Sequence, residues 1–258
     1  MPKFSANLTM MFNEVDFPDR FERAARAGFK GVEFMFPYGW SKDQLVNELG
    51  KHHLEQILHN LPAGNWQSGE RGIACLPGRE GEFQEGVGRA IEYAKALKCP
   101  RLNCLVGKVP QGIASEKVRQ TLVGNLQFAA IALEKEKIRL LIEPLNQQDI
   151  PEFYLAHTQD ALQLFKEIGH PNLWLQYDIY HMQVMEGNLT KTIRNHLPQV
   201  AHIQIADNPG RHEPGTGEIN FTNLFRFIDE AGYEEWIGCE YIPAGKTEDG
   251  LQWVKPYL

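Results

Sequence analysis

Short apolar segments and longer amphipathic ones alternate eight times along this chain, and that alternation restricts the fold more than any other feature. The strand-like segments are Phe4–Asn7, Gly31–Phe36, Gln56–Asn60, Arg101–Val106, Arg139–Glu143, Leu173–Asp178, Val200–Ile205 and Trp236–Tyr241. Between them the spacing predicts helices over Phe17–Ala27, Ser41–Leu49, Glu80–Leu97, Ser115–Lys135, Thr158–Ile168, Asn188–His196 and Thr222–Ala231, and Thr247–Val254 closes the chain. Asp16, Ser41 and Thr158 are candidate helix N-caps, while Gly28 and Gly232 stand where helices stop. Strict alternation implies a parallel sheet. Spread over eight units, 258 residues give about 32 per unit, the length of one strand–helix repeat. Eight units close into a barrel, and no glycine-rich nucleotide fingerprint follows any strand, as an open sheet would suggest. The expected fold class is α/β, a single (β/α)8 TIM barrel over residues 1–258.

In such barrels the chemistry sits at the C-terminal ends of the strands. A polar residue stands at or near each of these ends: Asn7, Glu33, His59, Asn103, Glu143, Asp178, Gln204 and Glu240. The most telling is Glu143, because Pro144 follows it at once and cannot extend a sheet ladder. The last four belong to consecutive strands. Three carboxylates brought together require a counter-charge, and a divalent cation supplies one. Three carboxylates and an amide oxygen are hard ligands that suit Mg²⁺ or Mn²⁺. The expected metal ligands are therefore Glu143, Asp178, Gln204 and Glu240.

Other residues are assigned around this centre. His181, three residues past Asp178, is expected beside the metal as a substrate contact or a support. His202 lies two residues before Gln204 on the same strand face, one layer deeper, and is read with Asn7 as a support for the site. His59 and Asn103 are expected to contact substrate hydroxyls. Arg71 in the third loop, Lys108 after the fourth strand and Arg211 in the seventh loop are candidates to hold a substrate carboxylate. Glu143 and Glu240, on strands five and eight, can approach a chelated hydroxy-ketone from opposite sides. One removes the proton beside the carbonyl and the other returns one to the neighbouring carbon, aided by a Lewis-acid metal. That is the logic of an aldose–ketose isomerase or an epimerase.

Bulk properties narrow the partners. The net charge of −7 argues against a general nucleic-acid binder. The four cysteines form no C-x-x-C pair and are read as reduced, buried thiols. No apolar run approaches the roughly 18 residues of a membrane helix, and the N-terminus lacks a signal pattern. The expectation is a soluble, cytoplasmic enzyme acting on a small hydroxy or oxo acid, with no membrane or nucleic-acid partner, and compatible with a homo-oligomer.

Longer motifs carry a resemblance. Gly31-Val-Glu-Phe-Met-Phe-Pro-Tyr38, His59-Asn-Leu-Pro-Ala-Gly64, Gly69-Glu-Arg-Gly-Ile-Ala74 and Asn103-Cys-Leu-Val-Gly107 resemble the hydroxypyruvate isomerase family, as do Ile142-Glu-Pro-Leu-Asn146, Gln176-Tyr-Asp-Ile-Tyr-His-Met182, Gln204-Ile-Ala-Asp-Asn208, Arg211-His-Glu-Pro-Gly-Thr-Gly-Glu-Ile-Asn220 and Gly238-Cys-Glu-Tyr241. The match runs essentially end to end. It implies a xylose-isomerase-like barrel, Glu143 and Glu240 as the acid/base pair, and a metal on Glu143, Asp178, Gln204 and Glu240. The implied reaction converts hydroxypyruvate to 2-hydroxy-3-oxopropanoate (tartronate semialdehyde) through an enediolate. Related ketose 3-epimerases usually carry His where this chain has Gln204, which favours the hydroxypyruvate-type branch. A sibling group acts on 2-oxo-tetronate. A metal-dependent abasic-site endonuclease of the same barrel superfamily and a non-catalytic sugar-acid-binding protein are the other classes weighed.

Overall fold

The computed structural model describes residues 1–258 and forms the expected closed parallel barrel, in which each strand pairs with its sequence neighbour and the eighth returns to the first. The strands are β1 (Lys3–Asn7), β2 (Gly31–Glu33), β3 (Glu55–Asn60), β4 (Arg101–Cys104), β5 (Arg139–Ile142), β6 (Leu173–Asp178), β7 (Val200–Ile205) and β8 (Trp236–Cys239). The helices are α1 (Phe17–Arg26), α2 (Lys42–His52), α3 (Glu80–Leu97), α4 (Ser115–Lys135), α5 (Thr158–Ile168), α6 (Ile179–Met185), α7 (Leu189–His196) and α8 (Phe221–Glu230). No helix is long and apolar enough to cross a membrane.

Two apolar compartments result. The larger lies between strands and helices, where Phe4, Phe21, Leu102, Leu140 and Ile203 are buried. The smaller fills the barrel itself with Leu58, Leu141 and Ala201 against Trp174. Below it, Arg101 donates to the Ala201 carbonyl at 2.5 Å and pairs with Glu235 at 2.8 Å. Arg139 reaches the same carboxylate at 2.7 Å, and the trio closes the N-terminal end of the barrel.

Several strands are shorter than their apolar patterns suggest. β2 stops at Glu33, where its register on β3 shifts because β3 carries the extra residue Ile57 between the partners of Val32 and Glu33. With Val32 packed outward, Glu33 faces inward by ordinary alternation. β4 stops at Cys104 because the next residues pair with a loop, the Val106 carbonyl accepting from the Cys75 N–H at 2.9 Å. β5 and β8 end one residue before Glu143 and Glu240, so both carboxylates stand on the tips of strands.

Capping follows local chemistry. Ser41 makes a full capping box with Gln44. Asp16 caps α1 by backbone position only, with Pro18 in the first turn. Thr158 is not the cap of α5. His157 holds that position, and the Thr158 N–H and hydroxyl instead donate to Glu186 at 2.6 and 3.2 Å. Helix α6 has no counterpart in the sequence reading. The Asp178 carboxylate accepts from the Tyr180 N–H at 2.8 Å and starts α6 directly off β6. The last segment winds as a 3-10 helix over Thr247–Trp253.

Candidate active site

Side chains from β1, β2, β5, β6, β7 and β8 converge inside the C-terminal mouth. At the floor lies Glu33, fully buried. Its carboxylate accepts from Ser5 Oγ (3.0 Å), Asn7 Nδ2 (3.1 Å) and Gln204 Nε2 (2.7 Å), and faces His202 Nε2 at 2.8 Å. Burial pushes this carboxyl up, but His202 and the donors from Gln204 and Ser5 outweigh it and hold the group below the usual carboxylate range. Gly238 on β8 makes the arrangement possible, because a Cβ there would land on both Glu33 oxygens. His202 thus contacts the Glu33 carboxylate beneath the site, on the same strand as Gln204. Glu33 is the residue the sequence reading left without a role, and the glycine opposite was the available signal.

Above the floor sit three more carboxylates and one guanidinium. Glu240 Oε2 accepts from Arg211 Nη2 at 2.6 Å, and its Oε1 accepts from Asn7 Nδ2 at 3.2 Å and Gln204 Nε2 at 3.3 Å. Asp178 Oδ2 lies 3.7 Å from Arg211 Nη2. Glu143 accepts from Asn103 Nδ2 at 2.8 Å. Burial raises the Glu143 carboxyl well above the usual range, with Glu240 and Asp178 adding to the effect. Burial also raises Asp178, against the pull of Arg211. The Glu240 carboxyl is pushed up to about 8 by burial, with Arg211 opposing and Asp178 and Glu33 adding. One guanidinium is too little positive charge for three buried acids. Asp178 Oδ2, moreover, has no hydrogen-bond donor, which is costly for a buried carboxylate oxygen.

Ligand atoms of Glu143, Asp178 and His181 all lie within 4.8 Å of one another, a cluster able to hold a metal ion. His181 has a further constraint. The Asn146 N–H and Nδ2 lie 3.3 and 2.7 Å from its Nδ1. A backbone N–H can only donate, so Nδ1 accepts and the ring hydrogen belongs on Nε2, which lies 3.6 Å from Asp178 Oδ2. Burial and the nearby Arg211 hold His181 neutral, well below its usual pKa. It is thereby a neutral N–H donor aimed into the site, and in this tautomer neither of its ring nitrogens is free to bind an ion.

Not every expected residue is there. Gln204 reaches the centre with its nitrogen, while its oxygen accepts from Gln176 Nε2 at 2.6 Å. Asn103 steadies Glu143 and is absent from the cavity wall. His59 is turned the wrong way. Asn60, next to it, lines the cavity, so alternation along β3 points His59 outward, where its ring packs edge-on to Tyr38 at 6.2 Å. There it is fully buried, neither ring nitrogen finds a partner, and burial lowers its pKa to about 3. Lys108 sits in an isolated bridge with Phe153 at the loop edge and does not line the cavity. The cavity, about 210 Å³, is bounded by Glu143, His181, Arg211 and Glu240, by Asn60, Trp66 and Arg71, and by the apolar Met10, Met35, Leu105, Leu145 and Ile150. A larger hollow of about 510 Å³ lies at the other end of the barrel between α2, α3 and β3, without an acidic cluster.

Residues 21–257 match the family described as Xylose isomerase-like TIM barrel. The chain belongs to that family. Among its relatives, hydroxypyruvate isomerase of Escherichia coli (strain K12) is 56% identical, the match covering 100% of both chains. The 2-oxo-tetronate isomerase of Cupriavidus necator is 44% identical over 100% of this chain and 99% of the other. A crystal structure from Brucella melitensis, titled AP endonuclease, family 2, superposes with a TM-score of 0.97 at 45% identity, covering 100% of this chain and 99% of the other.

Proposed function

We propose that this chain is a metal-dependent isomerase that interconverts hydroxypyruvate and 2-hydroxy-3-oxopropanoate. The observation that carries the proposal is the cluster of three buried carboxylates sharing one guanidinium, set on the strand tips of a barrel 56% identical to a hydroxypyruvate isomerase.

The residues fit a hard divalent cation, Mg²⁺ or Mn²⁺. Three acids and one guanidinium leave two negative charges unmatched, and the unpartnered Asp178 Oδ2 is available as a ligand. Glu143, Asp178 and Glu240 would hold the ion. Gln204 would join them by a half-turn of its terminal amide, with Gln176 turning in step so that its unpartnered oxygen accepts from the Gln204 nitrogen, at the loss of the Gln204 donor to Glu33. When bound, the cation would supply Lewis-acid catalysis, acidifying the C–H beside the substrate carbonyl and offsetting the charge that develops on oxygen.

The chain's own groups do the proton work. Glu143 and Glu240 stand on β5 and β8, on different sides of the mouth. One takes the proton from C3 of hydroxypyruvate as its carboxylate, and the other returns a proton to C2 as its acid, while the proton of the C3 hydroxyl passes to the C2 oxygen so that the aldehyde and the new hydroxyl form. Raised pKa values suit both tasks, since each carboxyl can hold a proton near neutrality. Asn103 and Asn7 fix the two carboxylates by donating to them. His181, neutral and held by Asn146, donates to a substrate oxygen without adding charge. The apolar wall of Met10, Met35, Leu105 and Ile150 excludes water from the reacting carbons.

The test follows Mg²⁺- or Mn²⁺-loaded protein and hydroxypyruvate in D₂O by NMR. The expected result is the aldehyde signal of the product with deuterium entering at C2. The 2-oxo-tetronate relatives support a second reading with a substrate one carbon longer. Turnover of that acid alone would move the assignment to it, and turnover of neither would sink the proposal.

A further inference from the structure

Both candidate substrates carry a carboxylate, and that group needs a cation that is not already neutralised. The seventh-loop candidate is engaged: Arg211 lies 2.6 Å from Glu240 and 3.7 Å from Asp178. Lys108 is outside the cavity wall. Arg71 differs from both. It lines the cavity, and no acid lies within ion-pair distance of it, the adjacent Glu70 being bound to Arg79 instead.

The loop between β3 and α3 is built to present it. Glu70 turns back, accepting from the Asn65 N–H at 2.5 Å over Gly64, where any side chain would strike the Glu70 carboxylate. Gly72, at φ 108°, packs directly on the Leu105 carbonyl and pins the far side. Arg71 itself lies over Trp66, its guanidinium carbon 3.8 Å from the ring centroid. Nη1 donates to the Trp66 and Glu70 carbonyls at 3.2 and 2.7 Å, leaving Nε and Nη2 without a carbonyl partner.

We infer that Arg71 is the residue that binds the substrate carboxylate, oriented by the Trp66 stack and by the fold of the Gly64–Gly72 loop. This rests on the isomerase reading and deepens it. A carboxylate held on Arg71 fixes which carbons face Glu143 and Glu240, since all three side chains line one cavity. The planar guanidinium matches a carboxylate with paired N–H donors, a geometry lysine lacks.

The experiment compares wild type with Arg71→Met and Arg71→Lys, using substrates with and without the charge. Hydroxypyruvate is set against dihydroxyacetone, in which CH₂OH replaces the carboxylate, and binding of the unreactive acid D-glycerate is read by calorimetry. A lost charge-assisted contact predicts a fall of about 10- to 100-fold in kcat/KM for hydroxypyruvate and in D-glycerate affinity. Any dihydroxyacetone turnover should change less than about threefold, and Arg71→Lys should recover part of the loss. Unchanged D-glycerate affinity in Arg71→Met, equal losses on both substrates, or no D-glycerate binding to wild type would each overturn the assignment. Inactivity of wild type on both acids would refute the isomerase reading alone, because the calorimetry would still decide whether Arg71 holds a carboxylate.

Discussion

Glu240→Gln isolates the charge problem at the heart of the site. In the metal-free protein the Glu240 carboxyl is pushed up to about 8. An acid whose folded pKa is raised adds stability that is fully present below its unfolded value, near 4.5, and is lost as pH rises through about 8. For that pair of values the loss between pH 7 and pH 8.5 is about 1 kcal/mol. This corresponds to about 2–4 °C in Tm for a chain of this size. Glu143, raised by the same burial, adds to the slope in the same direction. The window is chosen above the histidine range, because His59 and His181, both lowered, impose the opposite slope only below about pH 6.5. Scanning calorimetry with EDTA at the two pH values should show wild type falling by at least about 1 kcal/mol more than Glu240→Gln. Saturating Mg²⁺ should flatten the wild-type slope, since a cation supplies the charge that the carboxylates lack. Parallel slopes for wild type and variant in EDTA would refute the reasoning. Isomerase activity of the variant should fall about 10²- to 10⁴-fold, the usual loss when a proton-transfer group is removed.

Three further outcomes follow from the structure. Gly238→Ala should destabilise the protein by about 2–4 kcal/mol in urea titrations, because its Cβ lands on the Glu33 carboxylate at a packed floor. Glu33→Gln keeps the shape but replaces an oxygen by a donor, facing donors from Ser5, Asn7 and Gln204. Urea titration should show a loss of about 1–3 kcal/mol. His59→Leu should leave kcat/KM unchanged, because the side chain faces the helices. It should also remove acid sensitivity: the lowered pKa of His59 gives stability above pH 6.5 that is lost as pH falls toward 3. The variant should therefore gain about 2 kcal/mol on wild type at pH 5 relative to pH 8, measured by thermal denaturation.

The strand tips were readable because Pro144 and the acidic residues after apolar runs mark where β5, β6 and β8 end. The barrel was readable from the alternation itself. The facing of His59 was not. Parallel strands are buried on both sides, so Ile57 and Leu58 are both apolar and the two-residue period is masked. The role of Glu33 was hidden for a different reason. Its partners Ser5, Asn7, His202 and Gln204 sit on β1 and β7, and only closure of the barrel brings them to it. Helix α6 was missed because its seven residues are fewer than pattern reading needs, although Asp178 was already visible as a cap. The cavity wall draws Met10, Trp66 and Ile150 from three separate loops, and no spacing rule relates them.

The Arg101–Glu235–Arg139 closure beneath Leu58 and Leu141 has a consequence for traffic. A barrel sealed at one end has a single doorway. Reactant and product exchange through the same opening, and neither can leave by a back route. The two molecules are isomers of equal size and charge, so each obstructs the other. Accumulated product should slow the forward reaction as a competitive inhibitor, and net flux will depend on how quickly a following step clears it.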